Sequence, residues 1–133
     1  MKRWMLLSAL MFAAGCAGAP VREGAVTVAP GEQVVDLRAG SYFFAPASLS
    51  IPAEKPVVLR IRNEASVIPH SFVLAGPGGN VLVRKPLRKG GETLIRLSPL
   101  PAGTYTFYCD KSFLGSTHRS KGMQGKLEAA PAK

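Results

Sequence analysis

The chain has 133 residues, which is enough for one domain with a buried core and too few for two domains of ordinary size. Hydrophobic residues make up 47% of it and charged residues 19%, a composition typical of a globular protein. The 17 basic and 8 acidic residues give a formal net charge of +9, which favours an anionic surface or an acidic protein as the partner.

The first 15 residues have the anatomy of a secretory signal, with a basic start at residues 1–3, an apolar stretch at 4–14 and a small-residue exit. The apolar stretch is too short to span a bilayer. Residues 12–16, Phe-Ala-Ala-Gly-Cys, resemble a bacterial lipobox, with Ala13 where the pattern favours Leu. The resemblance implies that Cys16 is acylated and becomes the first mature residue. If the segment is only an ordinary cleavage region, the protein is exported without lipid.

Export determines the expected location and partners. A lipid on Cys16 would hold the protein in the envelope of a bacterial cell, facing the periplasm. The residue after Cys16 is Ala17 and not Asp. In this respect the chain resembles lipoproteins sorted to an outer membrane. Removal of residues 1–15 leaves 15 basic and 8 acidic residues, a net charge of +7. Because the domain is expected to be exported, nucleic acid is not expected as a partner. The positive charge instead favours an acidic redox protein as the partner, and the protein is expected to be a monomer.

The rest of the chain predicts one all-β domain between two short ends. Residues 16–32 are rich in Ala, Gly and Pro and predict a flexible tether, and residues 130–133 predict a tail. Residues 33–129 contain short runs of period-two alternation separated by Gly and Pro, which is typical of an antiparallel sandwich. The predicted strands outside the two runs described next are 33–38, 42–44, 49–51, 92–97, 104–108 and 125–128. No segment after the signal has a helical period.

Two further runs show which side chains should face the core. Val57, Leu59 and Ile61 should point inward while the intervening Arg60 and Arg62 point to solvent. In the run after His70, two apolar side chains should share one face: Phe72 and Leu74. Turns are predicted at 76–80, Gly-Pro-Gly-Gly-Asn, and at 89–91, Lys-Gly-Gly.

The cysteine count restricts the chemistry. The chain has only Cys16 and Cys109, so Cys109 has no partner for a disulfide if Cys16 carries lipid. A lone thiol in an oxidising compartment is at risk of oxidation unless it is buried or bound to a metal.

Four side chains of the mature domain can bind a soft metal ion. They are one unlipidated cysteine, two histidines and one methionine: Cys109, His70, His118 and Met123. Taken singly, each has an ordinary structural explanation, because a lone His, a Met near a C-terminal strand or a single buried Cys more often belongs to the core. Taken together, two imidazoles, a thiolate and a thioether are the ligands of a blue-copper site.

The segments around these residues resemble the cupredoxin family, which includes plastocyanin, azurin and the copper domains of nitrite reductases. They are residues 63–72, Asn-Glu-Ala-Ser-Val-Ile-Pro-His-Ser-Phe, and 103–109, Gly-Thr-Tyr-Thr-Phe-Tyr-Cys. Eight residues between Cys109 and His118, then four before Met123, resemble the type 1 loop of nitrite reductase. The resemblance implies a Greek-key β-sandwich of the cupredoxin type that holds one type 1 copper. Ser71 departs from the family, which commonly has at this position an Asn that ties two ligand loops together.

Three functions fit such a site. The first is transfer of single electrons by the copper ion. The second is copper trafficking or buffering, which usually relies on exposed Met or Cys clusters that this sequence lacks. The third is a copper enzyme. It is not expected, because a further catalytic copper needs additional histidines and the residue before Cys109 is Tyr108. A thiolate-bridged binuclear centre would need two site cysteines.

The resemblance also implies where electrons pass. In cupredoxins the histidine that corresponds to His118 reaches the surface within an apolar patch. Phe113 and Leu114 on the same loop are apolar where a loop is normally polar, and they are assigned to that patch. Three basic residues, here named the basic rim, should surround it and attract an acidic redox protein: Lys111, Arg119 and Lys121.

Overall fold

The computed structural model describes residues 26–132, and over this range the chain forms β-strands and no helix. The strands are β1 Val34–Gly40, β2 Phe43–Ala45, β3 Ser48–Pro52, β4 Val57–Asn63, β5 Ser71–Ala75, β6 Val81–Pro86, β7 Glu92–Leu97, β8 Gly103–Tyr108, β9 Ser112–Phe113, β10 Ser116–Thr117 and β11 Gln124–Ala130. The predicted all-β sandwich is confirmed. Among the described residues, no helix is long and apolar enough to cross a membrane.

Two sheets form the sandwich. One has the strand order β2-β1-β4-β7 and the other β3-β11-β8-β5-β6, while β9 and β10 form a small separate hairpin. Most strand pairs are antiparallel, as predicted, but two are not: β1 pairs with β4 in parallel, and β3 pairs with β11 in parallel. Parallel neighbours need a connection that returns the chain to the same end of the sheet, and the long excursions between these strands supply it.

The predicted pattern of inward and outward residues is confirmed in β4. Val57, Leu59 and Ile61 are fully buried, whereas Arg60 and Arg62 are exposed. Phe72 and Leu74 of β5 are fully buried as well, because their shared face belongs to the hydrophobic core. Both predicted turns are present, and Gly76 N donates to Asn80 O across the first of them. The strands β6, β9 and β10 are not among the predicted strands.

Three phenylalanine rings join the two sheets next to the ligand-bearing end of the molecule. Phe44 of β2 lies edge-on to Phe72 of β5 and Phe107 of β8, with centroids 6.0 and 5.5 Å away, and the latter two rings stack at 5.7 Å. Phe72 follows His70 by two residues and Phe107 precedes Cys109 by two. Burial of these rings therefore fixes the strand ends from which both candidate ligands project.

The end of the predicted tether contacts the sandwich. Arg96 of β7 pairs with Glu32, and its other terminal nitrogen donates to the carbonyl of Thr27 at 2.9 Å. Residues 27–32 are thus held against β7. The signal peptide and the lipidation at Cys16 fall outside the described residues.

Candidate metal centre

The sheet register brings three candidate ligands to one end of the molecule. His70 directly precedes β5, and Cys109 directly follows β8. Since β5 and β8 are antiparallel neighbours, the start of one strand meets the end of the other. The amide of Ser71 accordingly donates to Cys109 Sγ at 3.4 Å. The β9–β10 hairpin then returns the chain, and the amide of His118 donates to Lys111 O at 2.8 Å.

The three donor atoms form a small triangle. His70 Nδ1 and His118 Nδ1 are 3.1 Å apart, and Cys109 Sγ is 3.9 Å from the first and 3.5 Å from the second. A point equidistant from the three atoms is about 2 Å from each, close to the ~2.0–2.3 Å of nitrogen and sulfur bonds to a first-row metal such as zinc. The triangle therefore has room for one metal ion of that size.

Met123 is brought to the same place by the backbone. The amide of Cys109 donates to Met123 O at 3.1 Å, and the amide of Met123 donates to His118 O at 3.0 Å. The Met123 side chain is fully buried in the core cluster. The loop that starts at Cys109 is thus closed by hydrogen bonds among the candidate ligands themselves.

Both histidines favour the neutral form that binds metals. Burial is the main cause that lowers the pKa of His70, with a contribution from His118; burial also lowers the pKa of His118, assisted by the positive charge of Lys121. Within the described part of the chain, Nε2 of each ring is buried and has no hydrogen-bond partner. The Nδ1 atoms face each other and Cys109 Sγ, and two imidazoles, one thiolate and one thioether buried together are a set of ligands that fits copper.

Ser71 ties the two ligand-bearing strands together, despite standing where the family commonly has Asn. Its hydroxyl donates to Asp110 Oδ1 at 2.5 Å and accepts from the amide of Asp110 at 3.1 Å. Arg84 of β6 pairs with the other carboxylate oxygen at 2.8 Å. Burial would raise the pKa of Asp110, but the Ser71 hydrogen bond and the charges of Arg84 and Lys111 lower it overall. The sequence offered little signal for this link, since Asp110 was notable only for following Cys109.

The Ser71–Asp110 link leads to a stability prediction. The Ser71→Ala variant should reduce the free energy of unfolding of the copper-free domain by about 1.5–3 kcal/mol, because it removes a hydrogen bond to a charged group. The quantity is measured by denaturant titration. Ser50→Ala, a serine on the exposed face of β3, should change it by less than about 0.5 kcal/mol. Equal losses in the two variants would contradict a structural role for the link.

His118 was expected to reach the surface, but it does not. Its side chain is fully buried, because the ring of Tyr42 lies edge-on against it with centroids 4.9 Å apart. Tyr42 also faces His70 at 6.5 Å. Sequence analysis missed Tyr42, which is 76 residues from His118 along the chain and lies near it only through the fold.

The residues assigned to the apolar patch do lie at the surface. Phe113 is 50% exposed and Leu114, at the apex of the β9–β10 hairpin, is 88% exposed. The three residues of the basic rim are exposed, and two of them lie over different aromatic rings. Arg119 lies over the ring of Tyr108 at 4.1 Å and donates to Gln124, whereas Lys121 lies over the ring of Tyr42 at 4.4 Å.

Comparison with known proteins agrees with this architecture. Residues 4–127 match the family model of the cupredoxin-like domain. A solved structure of auracyanin B is 26% identical, with a TM-score of 0.64 over 80% of this chain and 94% of that chain. Reduced auracyanin from Roseiflexus castenholzii is 18% identical, with a TM-score of 0.63 over 75% and 98%. Auracyanin A, a "blue" copper protein from Chloroflexus aurantiacus, is 21% identical, with a TM-score of 0.56 over 73% and 99%. No curated protein sequence matches significantly.

Proposed function

Because the chain belongs to the family of cupredoxin-like domains, we propose that it is a type 1 copper protein that transfers single electrons in the envelope of a bacterial cell. The observation that carries this proposal is the buried triangle of His70 Nδ1, His118 Nδ1 and Cys109 Sγ. Auracyanin A, one of the similar structures, is described as a "blue" copper protein.

His70, Cys109, His118 and Met123 would hold the ion. Bound copper supplies a redox couple between Cu(I) and Cu(II). The thiolate and thioether of the site suit the reduced ion, and the imidazoles suit both states. The protein contributes by fixing these ligands, because burial, the paired strands β5 and β8 and the Ser71–Asp110 link oppose rearrangement. Little rearrangement between the two redox states is what a fast electron carrier requires.

A carrier role fits better than trafficking or catalysis. The three side chains of the triangle are at most 1% exposed, so an incoming chaperone or acceptor would have no exposed ligand with which to begin an exchange. A catalytic copper of the histidine type would lack ligands, because the chain has two histidines and the triangle uses both.

An acidic redox protein is the proposed partner, guided by the basic rim. Changing Lys111, Arg119 and Lys121 to Gln should lower the rate of electron transfer with a small acidic redox protein by about tenfold or more at low salt, because electrostatic steering raises association rates by about 10- to 1000-fold. Rates are measured by stopped flow at several ionic strengths. The effect should shrink as the Debye length falls towards about 8 Å at physiological salt.

Lys55 provides the matched control. It lies in the turn between β3 and β4. Because β11 leads away from the triangle and β3 runs parallel to β11, this turn is at the opposite end of the molecule. Lys55→Gln should leave the rate within about twofold of the native value, as expected for a distant charge screened by salt. Rates that change neither with salt nor with the three rim substitutions would contradict a docking role for the basic rim. They would not contradict the copper site.

The proposed location is tested separately. If Cys16 carries lipid, Cys16→Ser should move the protein from the membrane fraction of cells to the soluble fraction, because the acyl chains that supply membrane affinity are lost. Cys109→Ser makes the same chemical change at the other cysteine and should leave the protein in the membrane fraction. A Cys16→Ser protein that stays with the membrane would contradict lipid anchoring at this residue.

A further inference from the structure

Tyr42 stands between the candidate copper ligands and solvent. Its ring lies edge-on against the buried ring of His118 at 4.9 Å, at an interplanar angle of 77°. Tyr42 is partly exposed, while His118 is fully buried. Of the aromatic residues described by the structure, Tyr42 therefore joins the surface to a ligand ring by direct contact.

The backbone holds Tyr42 in an uncommon conformation. Its φ of +66° lies in the left-handed region, which a bulky side chain rarely adopts. The residue occupies the two-residue turn between β1 and β2, and the pairing of Gly40 with Phe43 closes that turn. Such conformations persist where the surrounding structure requires them, and they cluster at functional sites.

Lys121 covers the outer side of the same ring. Its Nζ lies 4.4 Å from the Tyr42 centroid, and the amide of Lys121 donates to His118 O at 3.1 Å. The ligand loop thus folds a positive charge over the ring that shields its own histidine. An anionic group on a partner would be attracted to this position.

We propose that Tyr42 is the contact through which electrons enter and leave the site, in place of an exposed edge of His118. This inference rests on the proposed electron-carrier function. One electron leaves the partner, which is oxidised, and reduces bound Cu(II) to Cu(I); no bond forms or breaks and no proton moves. The tyrosine is a bridge and is not itself oxidised. Since electronic coupling falls steeply across gaps, atoms in van der Waals contact with His118 offer the strongest route from the surface.

The rate of oxidation by hexacyanoferrate(III) tests the route without an identified partner. The reduced, copper-loaded protein is mixed with the reagent by stopped flow, and the growth of the thiolate-to-Cu(II) band gives the second-order rate constant. Tyr42→Leu, which keeps an apolar cover and removes the ring, should lower that constant by at least about tenfold, or about 1.4 kcal/mol in activation free energy. Tyr42→Phe should retain the native rate. Phe43→Leu, the same loss of a ring one residue along, should also retain it.

A readout on the copper-free protein checks the contact itself. The proton resonances of the His118 ring should lose their ring-current shift in Tyr42→Leu and keep it in Tyr42→Phe. If Tyr42→Leu does not fold, Lys121→Gln serves instead, and it should lower the hexacyanoferrate rate more than Lys55→Gln does.

The outcomes separate this inference from the proposed function. A native or increased rate in Tyr42→Leu with an unchanged visible band would overturn the route, since Tyr42 would then only shield His118. Equal effects of Lys121→Gln and Lys55→Gln would overturn it too. Absence of the thiolate-to-Cu(II) band in the native protein would instead remove the proposed function.

Discussion

Replacing Cys109 with Ser should abolish the intense visible band of the copper-loaded protein. The band arises from charge transfer between a thiolate and Cu(II), and Cys109 Sγ is the sulfur that lies within 3.5 Å of His118 Nδ1. A serine hydroxyl is a hard ligand of poor affinity for Cu(I), so the variant should also bind reduced copper more weakly than the native protein. Visible absorption and copper analysis after dialysis measure both effects.

Cys16→Ser is the matched control, because it makes the same change at the other cysteine of the chain. This control should keep both the band and the bound copper. An intense band that survives in Cys109→Ser would mean that another group supplies the charge transfer.

Phe107→Ala should produce the largest loss of stability of any single truncation discussed. The ring is fully buried, stacks on Phe72 and lies edge-on to Phe44. It also fills the space above Gly125, where a Cβ would have no room. Removal of such a ring costs about 3–5 kcal/mol, a large part of the ~5–15 kcal/mol that stabilises a typical domain. Denaturant unfolding of the copper-free protein measures the loss.

A phenylalanine at the surface shows whether the effect depends on burial. Phe113 on the β9–β10 hairpin is 50% exposed, and Phe113→Ala should change the free energy of unfolding by no more than about 0.5 kcal/mol. A Phe107→Ala protein as stable as Phe113→Ala would contradict the assignment of the three-ring cluster to the core.

Local patterns were sufficient to predict most of the sandwich. From Leu59 to Asn63, strand β4 alternates buried and exposed residues because one face meets the core. The bounds predicted for β7, residues 92–97, are those that the structure has. The order of Cys109, His118 and Met123 along one loop also indicated that they would meet. These features depend on residues close together in sequence, for which period and spacing are informative.

Strand β6 could not be predicted in the same way. It is an edge strand of its sheet, and most of its residues are exposed. It ends in Arg84, Lys85 and Pro86, residues typical of protected edges. Its apolar alternation is therefore weak. The strands β9 and β10 have two residues each, too few to show any period. Parallel pairing of β1 with β4 depends on the path that the chain takes between these two strands. Local sequence patterns carry no information about that path.

The surroundings of the candidate ligands were beyond sequence analysis for the same reason. The burial of His118 depends on Tyr42, and the link that replaces the family Asn depends on Ser71 meeting Asp110 across two strands. Each contact joins residues at least 39 positions apart in the chain. The donors could be identified from their chemistry, whereas the groups that cover and orient them are placed by the fold.

Titration of the native, copper-free protein with Cu(II), followed by visible absorption and electron paramagnetic resonance, tests the type 1 site most directly. One buried triangle of two imidazole nitrogens and one thiolate predicts saturation at one ion per chain, with an intense thiolate-to-Cu(II) band and the resonance of a single mononuclear Cu(II). Copper that binds without the intense band, or a protein that binds none, would contradict the assignment.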